Sequence, residues 1–293
     1  MLLCQHFDCR LNERGDYQMK KTIIFSHKTA FKFYRHLRTN SSEDSFGKTL
    51  KKTSLVVPEK HNKNLCESAN NFVNKFFIEP SPHLLISSTN HRRLSANAVA
   101  KSSNLEYPKN SFCKISEGFY IPSPELLFLQ MAQQLNFEKL VLAGIELCGC
   151  YSLPNNPNEA FNPNIKPVTS VKNISSYLDK IRRLNASPHG INKALLALKY
   201  VSNNSFSPLE SKIYLMLCGP REIGAYGITG MQFNLKVELS STASVISAQN
   251  YIYPDICNPK TKVSIEYDSK EFHENESQNT RDKLRINALQ SDG

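Results

Sequence analysis

The sequence predicts an α+β protein with a mixed and mostly helical N-terminal half and a C-terminal third that runs helix, three strands, helix. A serine followed by a proline begins two predicted helices, within residues 122–125 and 207–210, and this pairing is typical of a helix N-terminus. Apolar side chains recur at helical spacing between those two starts, and strand-like segments follow a glycine-rich loop at residues 224–230. A chain of 293 residues is long enough for two domains.

The elements can be predicted in order along the chain. Residues 1–20 form an irregular leader, and residues 40–70, rich in Ser, Lys and Asn, predict a flexible linker. The predicted elements are strand 22–25, helix 30–37, strand 83–86, a turn that enters another strand within 116–121, two helices with apolar positions from Leu126 to Ala132 and from Leu140 to Leu147, a loop at 151–167, helices 171–184, 190–201 and 207–217, strands 232–239, 251–257 and 262–268, and helix 280–289. We expect a leader at 1–20, an accessory region at 21–204 and a C-terminal domain at 205–293.

The formal net charge of +10 is concentrated near the N-terminus. The first 110 residues hold 18 Lys or Arg against 9 Asp or Glu, whereas the rest hold 18 against 17. Lys and Arg that contact phosphates release counterions, so this segment favours DNA as a partner. A solvated basic surface explains the same charge equally well.

The cysteine pattern and the lengths of the apolar runs indicate the cellular compartment of the protein. The eight cysteines show neither a disulfide rhythm nor a paired CxxC motif, which favours ordinary thiols in a reducing compartment. No apolar run approaches the roughly 18 residues that a membrane span needs. The sequence therefore predicts a cytoplasmic protein without a membrane partner.

A turn at residues 258–261 is predicted to join the last two strands into a hairpin, because Asn followed by Pro is favoured in a type I turn. In one register Asp255 faces Ser264 and has Glu266 as its diagonal neighbour. In the other, centred one residue further along, Asp255 lies directly opposite Glu266. Both registers place the two carboxylates on one face of the hairpin.

Further acidic residues belong to the same predicted cluster. Asp268 lies two residues beyond Glu266 and shares its face, so three like charges converge at positions where they destabilise a sheet. A divalent cation would remove that conflict, and oxygen ligands suit Mg²⁺ or Mn²⁺, which can activate water and stabilise charge on a phosphodiester. Glu210, in the first turn of its helix, is a candidate fourth carboxylate, although the helix dipole alone also favours an acid there.

The order of these motifs resembles the Vsr-like branch of the PD-(D/E)xK nucleases over residues 205–290. The features in common are a helix Glu, a strand Asp, an E-x-D-S element, a downstream His and a D-x-x-R helix, carried here by Glu210, Asp255, Glu266 to Ser269, His273, and Asp282 with Arg285. The resemblance implies a restriction-endonuclease-like α/β domain that cleaves DNA.

The same resemblance implies individual roles. Asp255 and Glu266 resemble the metal ligands, and Asp268 occupies the place where the superfamily's Lys often stands. His273 resembles the histidine that assists the hydrolytic water, with an exposed loop histidine as the alternative. The candidate catalytic residues are therefore Glu210, Asp255, Glu266, Asp268 and His273. In the last helix, Arg281 and Arg285 are candidate nucleic-acid contacts, and a structural role is open for Arg285.

The region before residue 205 resembles the body of AbiEi-type antitoxins of abortive-infection systems. A strand at residues 83–86 is followed by the basic pair Arg92 and Arg93, and residues 118–126 match a run that enters a helix in those proteins. The resemblance implies a toxin–antitoxin or defence partner, with Arg92 and Arg93 as candidate nucleic-acid contacts. The winged-helix DNA reader that usually opens those proteins is not apparent here.

Vsr-like domains continue past the last helix with a glycine turn and further strands, whereas this chain ends at residue 293. We therefore expect an apparently truncated domain with an unpaired sheet edge. The first hypothesis is a metal-dependent DNA endonuclease that uses an activated water. The second is a catalytically inactive DNA-binding or antitoxin-like protein that retains the nuclease fold, and the third is a structural protein with an inert acidic cluster.

Overall fold

The structure is a computed structural model that describes residues 22–40, 50–76, 78, 80–88, 90, 97–267 and 276–291, without the side chains of residues 40 and 276–283. It divides into two compact units. The first comprises Met1–Leu135, Pro154–Pro157 and Asn173–Asn192, and the second comprises Asn136–Leu153, Asn158–Lys172 and Lys193–Gly293. Helices accompany small sheets in each unit, which confirms the predicted α+β class.

The elements alternate along the chain. The helices are α1 (His27–Asn40), α2 (Lys63–Asn74), α3 (Pro124–Ala132), α4 (Phe137–Cys148), α5 (Val171–Leu184), α6 (Ile191–Leu198), α7 (Pro208–Cys218), α8 (Ser241–Ser247) and α9 (Glu276–Ser291), with a 3-10 helix at Arg221–Ile223. The strands are β1 (Ile23–Ile24), β2 (Lys51–Thr53), β3 (His83–Ile86), β4 (Val99–Ser102), β5 (Phe112–Ser116), β6 (Phe119–Pro122), β7 (Gln232–Phe233), β8 (Val237–Glu238), β9 (Tyr251–Ile252), β10 (Ile256–Asn258) and β11 (Val263–Ile265). Strand β3 and helix α5 have their predicted bounds.

The first unit is built on a four-stranded sheet with the order β1-β6-β5-β2. Strand β1 runs parallel to β6, and the other neighbours are antiparallel. The core beside this sheet is aromatic: the ring of Phe72 stacks on that of Phe119 at 3.9 Å, and Phe25 stacks on both. Stacked rings of this kind contribute beyond the apolar area they bury.

Two elements occur where a flexible linker was predicted over residues 40–70. Strand β2 pairs with β5. Helix α2 has Asn62 as its N-cap, since the Asn62 side chain accepts a hydrogen bond from the Leu65 N–H at 2.9 Å. Helix α2 buries Cys66, Ala69 and Val73. The linker prediction was wrong for these residues because three small or medium apolar side chains at helical spacing are enough to anchor a polar helix.

The second unit carries the predicted hairpin. Strands β11, β10 and β7 form a three-stranded sheet, and β8 and β9 form a separate two-stranded ribbon. The predicted strands 232–239 and 251–257 are therefore each split between two sheets. Asn234, in a left-handed conformation with φ of 47°, ends β7, and Pro254, which cannot donate a ladder hydrogen bond, separates β9 from β10. Across the residues that the structure describes, no helix is both long and apolar enough to span a membrane.

Candidate functional site

The hairpin register determines where the two principal acids lie. Cys257 faces Ser264 and Ile256 faces Ile265, so the register continued by one residue places Asp255 opposite Glu266. This is the second of the two registers predicted from the sequence. This register requires a four-residue loop between the strands. The Asn258 side chain stabilises the start of the loop, because its Oδ1 accepts hydrogen bonds from the Lys260 N–H at 3.1 Å and from the Thr261 N–H at 3.4 Å.

Asp255 is held by the neighbouring strand. Its Oδ2 accepts a hydrogen bond of 2.7 Å from the Tyr267 N–H, which lies one residue beyond Glu266. Burial raises the pKa of the Asp255 carboxyl, while the Tyr267 N–H and the charge of Arg285 act to lower it. The carboxylate is thus fixed in orientation in a partly desolvated place, where a positive ligand would be favoured.

Glu210 lies in the first turn of α7 and is nearly buried, with 7% of its surface exposed. Its N–H donates to the Ser207 side chain at 3.1 Å, and its Oε2 accepts from the Phe206 N–H at 2.9 Å. This is close to a capping box, so a structural role explains part of its position. Burial raises the pKa of Glu210, with hydrogen bonds opposing, and the nearby charge of Asp255 raises it further.

Asn234 connects the two acids and was not identified from the sequence. Its N–H donates to the Asp255 carbonyl at 3.1 Å, and its side-chain amide donates to Glu210 Oε2 at 3.2 Å and to the Asn204 carbonyl at 2.9 Å. Asn is among the few non-glycine residues that adopt the left-handed conformation readily. The sequence signal was weak, because a single Asn inside a predicted strand gives no indication of such contacts.

The contacts of Asn234 give a testable prediction. We expect Asn234→Ala to lower the free energy of unfolding by about 2–3 kcal/mol, because it removes two hydrogen bonds, leaves the Glu210 carboxylate with one donor fewer and places alanine, which adopts the left-handed conformation less readily than Asn, at positive φ. Asn234→Gly is the matched control, since it loses the same hydrogen bonds without the backbone strain. Urea unfolding followed by circular dichroism measures both. Equal midpoints for wild type and the alanine variant would contradict the assignment.

Glu266 forms an ion pair with an arginine of the last helix. Its carboxylate lies 3.3 Å from the Arg285 guanidinium on α9, and the side chains of Glu266 and Arg285 are 26% and 33% exposed. The same guanidinium donates a hydrogen bond to the Tyr253 carbonyl. Arg285 therefore ties the last helix to the hairpin and partly neutralises the acidic site.

Several predicted site residues cannot be placed. Arg92, Arg93, Asp268 and His273 lie outside the described residues, and Arg281 falls in α9 where side chains are not described. Within the described part of the chain, no three His, Cys, Asp or Glu residues form a group suited to a metal ion. Mg²⁺ is often bound by only one or two carboxylates with water and phosphate completing its shell, so Asp255 and Glu266 meet the minimum donor set.

The cavities of the second unit adjoin these residues. One of about 410 Å³ is lined by Cys150, Asn204, Phe206, Asn234 and Tyr253. Another of about 780 Å³ lies along the hairpin and the end of α9, and its lining includes Glu266, Cys257 and Leu289. Both volumes are in the range of small-ligand sites.

Comparison of the chain with protein-family models, with curated proteins and with solved structures found no match. The resemblances to Vsr-like nucleases and to AbiEi-type antitoxins therefore depend on the sequence motifs alone. The geometry of the second unit is the remaining ground for a function.

Proposed function

We propose that the second unit is a metal-dependent endonuclease-like domain, of restriction-endonuclease-like architecture, that hydrolyses phosphodiester bonds of DNA with an activated water. The observation that supports this proposal is the hairpin register, in which Ile256 faces Ile265 so that the next pair in line is Asp255 and Glu266, with Glu210 near enough for the Asp255 charge to raise its pKa. Carboxyls with raised pKa values that gather at one place are typical of functional centres. A divalent cation is the ligand that such a set of oxygens favours.

Each residue has a chemical part in this proposal. Asp255 and Glu266 would hold Mg²⁺ or Mn²⁺, which when bound supplies an activated water and charge stabilisation. The Tyr267 N–H fixes the Asp255 carboxylate for this task. Glu210, whose pKa is raised by burial, is suited to hold a proton taken from water.

A second candidate function is DNA binding without catalysis, as in an antitoxin-like protein. The ion pair between Arg285 and Glu266 favours this second function, because the guanidinium already neutralises a carboxylate that a metal ion would otherwise bind. In that case the acidic cluster stabilises the packing of α9 on the hairpin, and the basic segment of the first 110 residues supplies the phosphate contacts.

Plasmid nicking in the presence of Mg²⁺ or Mn²⁺ tests the first function. We expect wild-type protein to nick, and Asp255→Asn and Glu266→Gln each to lower the rate by about 100-fold or more, since each removes a metal-ligand charge. Glu222→Gln is the matched control, because Glu222 is an exposed carboxylate of the same unit. Nicking that survives both substitutions at the hairpin would refute the catalytic assignment.

Gel retardation of duplex DNA separates the two candidates. Wild-type protein that retards DNA in a salt-sensitive manner but does not nick with either metal ion would support the binding function. Retardation should then persist in Asp255→Asn. An absence of retardation at low salt, together with an absence of nicking, would refute both.

A further inference from the structure

The ribbon of β8 and β9 has one buried and one exposed face. Val237 faces Ile252 and Glu238 faces Tyr251, so the register continued by one residue places Lys236 opposite Tyr253. Ile252 is 2% exposed, whereas Tyr251 and Tyr253, on the other face, are 45% and 47% exposed. We call Lys236, Glu238, Tyr251 and Tyr253 the ribbon face.

The two tyrosines of the ribbon face form a small aromatic platform. Their rings meet edge to face with centroids 5.6 Å apart, and the Lys236 ammonium lies 4.5 Å from the centroid of the Tyr251 ring. Lys236 also lies 3.7 Å from Glu238, which orients it along the ribbon. Half-exposed rings beside a cation offer stacking surface for planar groups and attraction for phosphate at the same place.

A cavity adjoins this platform at Tyr253. Its volume of about 410 Å³ is enough for a small planar ligand, and its lining combines the aromatic Phe206 and Tyr253 with the carboxamides of Asn204 and Asn234. The Asn204 carboxamide presents a donor and an acceptor that match the hydrogen-bonding edge of a base, whereas Asn234, whose two amide N–H groups donate to the Asn204 carbonyl and to Glu210, presents its Oδ1 as an acceptor. Through Asn234 the cavity is linked by one hydrogen bond to Glu210 of the candidate catalytic site.

We propose that the ribbon face and the adjoining cavity bind the unpaired bases of single-stranded DNA, with one base in the cavity and its neighbour on Tyr251. This inference rests on the proposed function in one respect, because it names the form of DNA presented to the carboxylates. The recognised base must be unpaired, since a base inside a duplex has both of its faces covered by the neighbouring base pairs. Stacking accepts every base type, so sequence preference is weak.

The test is fluorescence anisotropy with a labelled single-stranded oligonucleotide of about twenty nucleotides, the duplex of the same sequence, and the same strand with abasic sites. We expect Tyr251→Ala and Tyr253→Ala each to weaken single-strand binding by about tenfold or more. Tyr253→Phe keeps the ring and should bind as wild type. Tyr226→Ala is the matched control, because Tyr226 is 65% exposed in the same unit and its backbone N–H donates to the Met216 carbonyl of α7 and not to the ribbon.

The outcomes distinguish this inference from the proposed function. Abasic strands that bind as tightly as normal strands, or tyrosine variants that bind as wild type, would overturn the inference even if plasmid nicking occurs. Tyrosine-dependent binding of single strands with no metal-dependent nicking would support the inference and refute the endonuclease. An absence of any oligonucleotide binding at low salt would overturn it as well.

Discussion

Replacement of Gly149 by alanine should lower the free energy of unfolding by about 3 kcal/mol. A Cβ at this position would lie 2.7 Å from the Ile145 carbonyl oxygen and 2.9 Å from the Ser205 carbonyl oxygen. Both neighbours are backbone atoms, so neither can turn aside as a flexible side chain would. Relief of the overlap would have to separate the end of α4 from the segment at residues 204–205.

That separation would also affect the candidate site. The Cys150 N–H donates to the Ser205 carbonyl at 2.7 Å, and the Asn204 N–H donates to the Cys148 carbonyl at 3.2 Å. These two hydrogen bonds fix Asn204, whose own carbonyl holds the Asn234 side chain. We therefore expect Gly149→Ala to reduce nicking and single-strand binding along with stability.

Gly224→Ala is the control that separates steric overlap from backbone strain. Gly224 has a φ of +83°, which an L residue rarely adopts, but a Cβ there would meet no atom within 4 Å. We expect a loss of about 1 kcal/mol from the left-handed conformation alone. The test is urea unfolding of the three proteins followed by circular dichroism. A loss at Gly149 no larger than the loss at Gly224 would contradict the steric argument.

The sequence was most informative where a strong local signal coincided with the tertiary structure. Helix α5 has its predicted bounds, and α7 begins at Pro208 behind the Ser207 cap, as the serine and proline pairing indicated. The hairpin turn followed from Asn258 and Pro259, yet the pattern allowed two registers. The choice between them is made by the whole strand pairing, in which Cys257 faces Ser264.

The sequence was least informative where single polar residues have tertiary roles. Asn234 ends a strand and connects Asp255 with Glu210, but an isolated Asn has no periodicity that would reveal this. The partner of Glu266 was also missed, since Arg285 lies 19 residues away on a helix whose position no local rule determines. Helix α8, with its Ser240 cap, was overlooked because its serine-rich sequence has low helix propensity.

Acidification from about pH 6.5 to about pH 4 should remove about 3 kcal/mol of stability through His27. Burial lowers the pKa of His27 from 6.5 to about 4, and the charges of Lys101 and His83 lower it further, although the hydrogen bond to Gln133 opposes them. The unfolded chain therefore binds a proton more tightly than the folded one. The contribution of neutral His27 is fully present above about pH 6.5 and is lost as the pH falls towards 4.

The hydrogen bonds of His27 explain why the folded protein holds the neutral ring. If Nε2 donates to the Gln133 Oε1 at 3.1 Å, then Nδ1 is left as the acceptor for the Ser26 hydroxyl at the same distance. Protonation would turn Nδ1 into a donor, so the Ser26 hydroxyl would have to turn from donating to accepting. Charging the ring would mainly cost the solvation that burial denies to a cation, and the positive charge of Lys101 would add to that cost.

His27→Asn isolates this effect, because Asn does not titrate and tolerates the positive φ of 49° at this position. Burial also lowers the pKa values of His36 and His61, but both remain in the variant and contribute equally to the two proteins. We expect unfolding free energies measured at about pH 7, 5.5 and 4 to fall less in the variant, by about 3 kcal/mol over the range. Parallel pH profiles for the two proteins would show that the neutral ring of His27 is not what makes the first unit sensitive to acid.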